Sequence, residues 1–399
     1  MSRKKMYRLL AFIIATFALL GVVVTLELNR YSPWKGQSNN GVQNTGDFID
    51  TAGDNQSGED SDGASTHEDT SDSQTGSETA DTEDAKPWED IVLLFSGDIN
   101  MTEVIQRNYK QNGIDGILAN KFREEFINAD IAMVNQEFAF TTGGTKARDK
   151  QYTFRVSPDY VQIFKDMQID VVTLANNHTM DFGTVGLTDT FDTLNSAGIP
   201  YVGAGNNITE ARDIKYFEVK DKKIACLGAS RVIPETDWNA YNNKPGMLTT
   251  YDPAMLVEDI KTAKSQSDFV VVYVHWGIEK QNSPKEYQRG LAKQYIDAGA
   301  DLVVGSHPHV LQGIEYYNGK PIIYSLGNFM FYSNIIQTAL LKVSVNEQNE
   351  AKLQLIPGKA ENAFTHPLEN TEDIQKFYQY MTEISFGVGF DSDGNVVLQ

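Results

Sequence analysis

Cysteine is nearly missing from this chain of 399 residues: only Cys226 occurs, inside the apolar run KIACLG. One thiol cannot close an intrachain disulfide, and no cysteine-built zinc motif exists. In that apolar context Cys226 reads as a small buried strand residue. Histidine is scarce as well, with six copies. Positive charge is in short supply: 34 Lys and Arg stand against 54 Asp and Glu, for a formal net charge of −20. Such a surface repels backbone phosphates, so nucleic acid is excluded as a partner. No fixed-period repeat is present.

The acidity is unevenly spread. Residues 47–90 hold fifteen Asp or Glu and one Lys. The stretch from Lys35 to Pro87 is rich in Asp, Glu, Ser, Thr, Gly and Asn and has few large apolar residues. It cannot offset its ordering entropy by burial, so it reads as a self-repelling tether. Before it stands the one long hydrophobic run. Arg3, Lys4, Lys5 and Arg8 precede an uncharged segment from Leu9 to Leu26. About eighteen residues at 1.5 Å each nearly cross a hydrocarbon core. Flanking positive charge stays cytoplasmic, which puts the rest of the chain outside the cell. A cleaved signal peptide is the competing reading, but TLELNRYSPW offers no small-x-small site. No cysteine follows the run, which excludes a lipidated N-terminus. The expected organisation is a cytoplasmic basic start and single-pass transmembrane anchor over 1–30, a disordered acidic linker over 31–88, a folded domain over 89–360, and a C-terminal helix and tail of that domain over 361–399.

From residue 89 onward strand-like and helix-like stretches alternate. DIVLLFSGD, ADIAMVNQE, IDVVTLANNH, IPYVGAG, DFVVVYVHWG and ADLVVGSHPHV read as strands. SPDYVQIFKDMQ reads as a helix capped by Ser157 with Pro158 in its first turn. GTVGLTDTFDTLNSAG is a helix closed by Gly198, and DPAMLVEDIKTAKSQ and PKEYQRGLAKQYIDAG are two more. KYFEVKDKKIACLGAS is a hairpin turning at Asp221–Lys222. GIEYYNGKPIIYS is another, with Asn318–Gly319 at its turn. ALLKVSVNEQNEAKLQLIP adds a third hairpin, and EDIQKFYQYMTEI a short helix. Runs such as VVVYV are apolar throughout, as strands covered on both faces must be. The expectation is a layered α/β fold on mixed central sheets flanked by helices.

The polar residues punctuate these strands at their carboxyl ends, where ligand sites of layered α/β folds lie. Asp98 and Asn100 end the first strand, and Asn135 and Glu137 the second at the same i, i+2 spacing. Asn177 and His178 follow LAN, with Asp181 three residues on. His275 ends FVVVYVH, and His307-Pro308-His309 follows VVGS. Oxygen and imidazole donors converging in this way suit divalent cations. The metal-ligand candidates are therefore Asp98, Asn100, Glu137, Asn177, His275, His307 and His309, with Glu137 placed to bridge two ions. His178 is the candidate proton donor and Asp181 the carboxylate that orients it. Arg155 and Asn328 are candidate substrate-binding residues, and Ser325 is a pocket or turn residue.

In their order and wording these motifs resemble the CapA (PgsA) family of poly-γ-glutamate capsule synthesis proteins. The resemblance covers about residues 90–340: GDIN, VNQE, LANNHTMDFG, VGAG, VVYVHWGIE, GADLVVGSHPHVLQGIE and SLGNFMF. That family is similar in turn to calcineurin-like metallophosphoesterases, whose motifs surround two metals. The resemblance implies a metallophosphoesterase-like fold and two metal ions, and the ligand types suit Mn, Fe or Zn. It implies that Asp98 and His309 hold the first ion, Asn177, His275 and His307 the second, Glu137 both, and that His178 is a general acid. The chain departs from the phosphoesterase pattern at Asn100, Glu137, Asn176 and Ser306. Three functions stay open on this reading. One is an accessory protein that binds the capsule polymer or its membrane synthase complex. The second is an active metal-dependent phosphoesterase of the cell envelope, and the third a structural protein with a relict site.

Overall fold

The computed structural model describes residues 88–399. The apolar anchor and the acidic linker expected from the sequence lie outside the described residues. Among the described residues no helix is long and apolar enough to cross a membrane.

Along the chain the sheet strands are β1 (Ile91–Ile99), β2 (Ile131–Gln136), β3 (Val171–Thr173), β4 (Tyr201–Val202), β5 (Lys215–Val219), β6 (Lys222–Ser230) and β7 (Phe269–His275). They continue as β8 (Leu302–Ser306), β9 (Leu311–Tyr317), β10 (Lys320–Leu326), β11 (Asn328–Met330), β12 (Ile335–Val345), β13 (Ala351–Glu361) and β14 (Phe364–Pro367). One sheet of eight has the order β14-β13-β12-β1-β2-β3-β4, with β11 beside the end of β1. A second sheet of six runs β9-β10-β8-β7-β6-β5. Both are mixed. The pairs β1–β2, β2–β3 and β3–β4 are parallel, as are β6–β7, β7–β8 and β8–β10. Hairpins make the antiparallel edges.

Alternation along the strands stacks these sheets between helices. Leu93 and Phe95 face a core shared with Val271, Tyr273 and Val304 of the other sheet. Leu94, between them, faces Phe122 and Phe126 of helix α1 (Asn120–Asn128) and Leu187 and Phe191 of α2 (Gly183–Ala197). On the far side Val270, Val272 and Val274 pack on Leu256 and Ile260 of α3 (Ala254–Gln266) and on Leu291 and Tyr295 of α4 (Glu286–Ala298). The layers are helix, sheet, sheet, helix. Each fully buried side chain of this size contributes about 1.5–3 kcal/mol. One hydrogen bond ties the two sheets where the shared core meets the site: Tyr273 Oη donates to the Ser96 carbonyl at 3.0 Å.

Three local expectations are corrected. Ser157 does not cap its helix; Pro158–Tyr160 form a 3-10 turn ahead of the helix at Val161–Asp166, and the Ser157 hydroxyl turns to Asp159 instead. The third strand stops at Thr173, because Asn176 Oδ1 takes the His178 N–H and bends the chain out of the ladder. The first hairpin turns at Lys220–Asp221, both left-handed, which pairs Val219 with Lys222. The C-terminal helix, Thr371–Ile384, begins on Asn370, whose side chain accepts from the Glu372 and Asp373 N–H groups.

Candidate metal centre

The carboxyl ends of β1, β2, β7 and β8 come to one rim because the sheets lie face to face with these strands parallel within each. Register does the rest. Asp98 stands beside Asn135 and Asn328, and His275 beside Ser306. Close approach is needed at Gly97: a Cβ there would fall 2.1 Å from the Gly327 carbonyl oxygen. The Asp98 N–H donates to that same oxygen at 2.8 Å. After β8 the chain turns sharply, and His307 and His309 both hold left-handed backbone, with φ of 98° and 58°. Such conformations cost about 1–3 kcal/mol each in non-glycine residues. Here they turn both imidazoles of the HPH loop toward the carboxylates.

Asp98, Asn135, Glu137, Asn177, His178, Asp181, His275 and His307 are all buried. Their donor atoms form two groups that share one carboxylate. Glu137, His275 and His307 can meet at one point, and Asp98, Glu137 and His309 at another. Glu137 Oε1 lies 3.8 Å from Nε2 of His275, 3.8 Å from Nε2 of His309 and 3.9 Å from Nε2 of His178. It has no hydrogen-bond partner among the described residues. His307 Nδ1 is 3.1 Å from His275 Nε2, which is 2.8 Å from Asn177 Oδ1. Asp98 Oδ2 accepts from the His307 N–H at 3.3 Å and lies 3.4 Å from His309 Nδ1.

The supports are as well defined as the donors. Asn135 Nδ2 donates to Asp98 Oδ1 at 2.7 Å and to Glu137 Oε2 at 3.3 Å. Asn176 Nδ2 donates to Asn135 Oδ1 at 3.0 Å, which fixes that amide. Ser306 Oγ is 3.0 Å from His275 Nδ1. His178 Nδ1 meets Asp181 Oδ2 at 2.7 Å, leaving Nε2 to face Glu137. The Phe154 ring lies against the His178 imidazole, with centroids 4.3 Å apart.

Electrostatics divides the cluster. Burial, reinforced by the Asp98 charge, pushes the Glu137 carboxyl well above its ordinary range. Burial also lowers His178, and it lowers His275 and His307 together with the neighbouring imidazoles, His307 to about 3. His309 is the exception: burial opposes its charge, yet Glu137 and Asp98 outweigh burial and raise it to about 10.

Not every residue named from the sequence arrives here. Arg155 is exposed; its guanidinium lies over the Phe182 ring at 4.6 Å and reaches the Gly143 carbonyl. Phe154 points to His178, and the next residue of an extended segment faces the other way. Ser325 serves the turn, donating to the Val310 carbonyl and accepting from the Gly327 N–H. Asn328 Oδ1 lies 2.8 Å from His309 Nδ1 and so holds an imidazole. Asn100 is buried, its N–H on the Met330 carbonyl and its side-chain Nδ2 without a partner among the described residues.

One residue of the site carries no signal in the sequence. Lys150, on the loop before Arg155, donates to the Asp181 carboxylate and to the Asn177 carbonyl, and stands 3.0 Å from His178 Nδ1. Burial depresses its ammonium, against the pull of Asp181. Its Nζ also lies 5.2 Å from the centre of the Trp238 ring. A lysine in a polar loop reads as a surface residue until the fold delivers it.

The donor set fits divalent cations. A buried carboxylate oxygen without a partner is costly, and three imidazole nitrogens surround this one at nearly equal distance. Imidazole with carboxylate and amide oxygen suits Mn, Fe or Zn. Such ions supply Lewis acidity when bound. The protein's own part is to fix Glu137 between the two groups and to hold His178 with Nε2 inward.

Residues 92–333 match the family described as bacterial capsule synthesis protein PGA_cap. The chain belongs to that family. It is 36% identical over 299 residues to the PGA biosynthesis protein CapA of Bacillus subtilis, covering 73% of this chain and 78% of the relative. To the capsule biosynthesis protein CapA of Bacillus anthracis it is 31% identical over 305 residues, 74% of each chain. A crystal structure described as a novel phosphatase from Mycoplasma pneumoniae aligns with a TM-score of 0.46 at 15% identity, over 69% of this chain and 96% of its own. The strand-end clusters of this capsule synthesis protein, from Asp98 to His309, all fall inside the matched segment.

Proposed function

We propose that this protein is a membrane-anchored, extracytoplasmic accessory protein for the synthesis or export of an anionic capsule polymer, poly-γ-glutamate, and that it holds two divalent cations in the centre described above. The observation that carries the metal reading is Glu137 Oε1: buried, without a hydrogen-bond partner among the described residues, and shared by both donor groups. The polymer is inferred from the family and from the names of the Bacillus relatives. The anchor and its orientation rest on the basic start and the apolar run Leu9–Leu26. On a chain this acidic, cations in the centre would bridge the polymer's carboxylates to the protein. The synthase complex in the membrane is the expected partner.

The test uses the full chain in detergent micelles. Metal content after Mn²⁺ loading should approach two ions per chain, and γ-linked polyglutamate should bind by calorimetry only when metal is present. Polymer binding that ignores both EDTA and Glu137→Gln would rule out this role for the centre.

A second reading is favoured by His178. Its Nδ1 is held by Asp181 and its Nε2 faces the shared carboxylate, the posture of a general acid. On this reading the centre hydrolyses a phosphoester of the envelope. Metal-dependent release of p-nitrophenol from bis(p-nitrophenyl) phosphate is the assay. Turnover that persists in both His178→Ala and His307→Ala would end this second reading.

A further inference from the structure

A cavity lies on the surface apart from the residues of the metal centre. It encloses about 860 Å³ and is walled mostly by apolar side chains, among them Ile208, Ile233, Met247, Leu248, Met255 and Tyr251. Three large side chains on its lining, Tyr241, Tyr251 and Met255, are about half exposed. Soluble surfaces rarely gather such residues around a concavity without a ligand to cover them.

Asp252 lies on the lining of this cavity, and the cation Arg231 packs from beside it on the lining residue Tyr251. Arg231 follows the last residue of β6, and its guanidinium lies 3.8 Å from the centre of the Tyr251 ring and 5.5 Å from that of Tyr287. Tyr287 is itself fixed, since its hydroxyl accepts the Gly277 N–H at 2.9 Å. The guanidinium makes no hydrogen bond or ion pair with any described residue. An arginine held by two rings, its donors unpaired among the described residues, is preorganised for a planar or tetrahedral oxyanion. Its position is also set from the metal side, because the Arg231 N–H donates to the His275 carbonyl at 2.7 Å.

We propose that Arg231 and the adjoining cavity form a binding site for an amphiphilic anion, with its anionic group on the guanidinium and its aliphatic body in the cavity. The lining decides the body: aliphatic side chains and methionine outnumber aromatic ones, and flexible thioethers fit a long, irregular chain. A membrane-borne prenyl or acyl anion has this chemistry. The site does not depend on the metal reading, although it lies next to that centre.

The test measures binding of farnesyl phosphate to the full chain by calorimetry below its micellar concentration, with farnesol, inorganic phosphate and adenosine monophosphate beside it. Farnesyl phosphate should bind at least about tenfold tighter than each of the others, since both halves of the site are engaged. Arg231→Gln should bring it down to the level of farnesol and leave farnesol unchanged. Met255→Asp, at an exposed position of the wall, should weaken both prenyl ligands and leave the melting temperature in place. EDTA should change neither result. The proposal is overturned if Arg231→Gln binds farnesyl phosphate as tightly as the parent. It is overturned as well if inorganic phosphate or adenosine monophosphate binds equally well, or if EDTA abolishes binding. The last outcome would move the phosphate to the metal centre and leave the reading given above intact.

Discussion

His307 Nδ1 stands 3.1 Å from His275 Nε2, two buried ring nitrogens facing one another across adjacent strands. Burial first, and then the charge of neighbouring imidazoles, lowers both rings, so each keeps a lone pair for an ion. Two neutral imidazoles beside a shared carboxylate predict a divided response to mutation. His275→Ala or His307→Ala should remove one ion, and His309→Ala or Asp98→Ala the other. Glu137→Gln should abolish the exchange-coupled signal of a manganese pair. Electron paramagnetic resonance on Mn²⁺-loaded protein reads all three, and an uncoupled spectrum in the parent protein would contradict the arrangement.

Lys150→Met should loosen the site from outside. It leaves the Asp181 carboxylate buried with its cation removed, which costs about 3 kcal/mol of stability. Lys150→Arg should recover part of that loss. Urea denaturation measures it, and a Lys150→Met variant as stable as the parent would show that the ion pair has no structural role.

Gly97→Ala tests the close approach of β1 to the 326–327 turn. With a Cβ 2.1 Å from the Gly327 oxygen, backbone must move, and overpacking of this kind costs about 3 kcal/mol. Asp98 takes its position from the same contact. Metal affinity should therefore fall along with the melting temperature.

His178→Ala should leave metal content unchanged while lowering any phosphodiester turnover by about a hundredfold or more. Asp181→Asn should act in the same direction, because it removes the acceptor that orients the ring. Steady-state kinetics with parallel metal analysis separates this from simple loss of ions.

Glu315 gives a pH prediction away from the centre. Burial alone would raise its carboxyl, but hydrogen bonds from Arg289 and Tyr324 and the charges of Arg289 and Lys293 outweigh burial and hold it below the usual range. A carboxyl lowered by folding stabilises the protein above its unfolded value, near 4.5. That contribution is lost as pH falls through the lower folded value. Glu315→Gln should thus destabilise at pH 7 and flatten the stability profile below about pH 4.5. Denaturation midpoints across pH 3–7 test it, and parallel curves for parent and variant would refute it.

Much of the fold was legible because strands buried on both faces are written as unbroken apolar runs. IVLLF and VVVYV became β1 and β7, and the Asn318–Gly319 turn lies where two left-handed residues were needed. Less legible were elements governed by polar side chains. The strand at Val171–Thr173 is shorter than its apolar run, because Asn176 and Thr179 compete for the backbone. Ser157 had the look of a cap and formed none, since the chain there begins with a 3-10 turn. In the site, Asp98, Glu137, His178, His275, His307 and His309 could all be named, being rare polar residues at strand ends. Arg155 could not be excluded from sequence, and Lys150 and Arg231 could not be found, because an ordinary basic residue carries no sign of what it will touch.

The sequence by itself determined which residues could donate to cations, for chemistry is a property of side chains and their place at strand ends follows from alternation. It also determined the apolar start and the acidic stretch, which are matters of composition. Only the tertiary structure decided that Glu137 is shared between two donor groups and that Lys150 closes over Asp181. It alone left Arg231 without a hydrogen-bond partner among the described residues, beside a cavity. Those relationships come from two sheets meeting face to face, which brings together positions up to about two hundred residues apart, and no local pattern encodes such a distance.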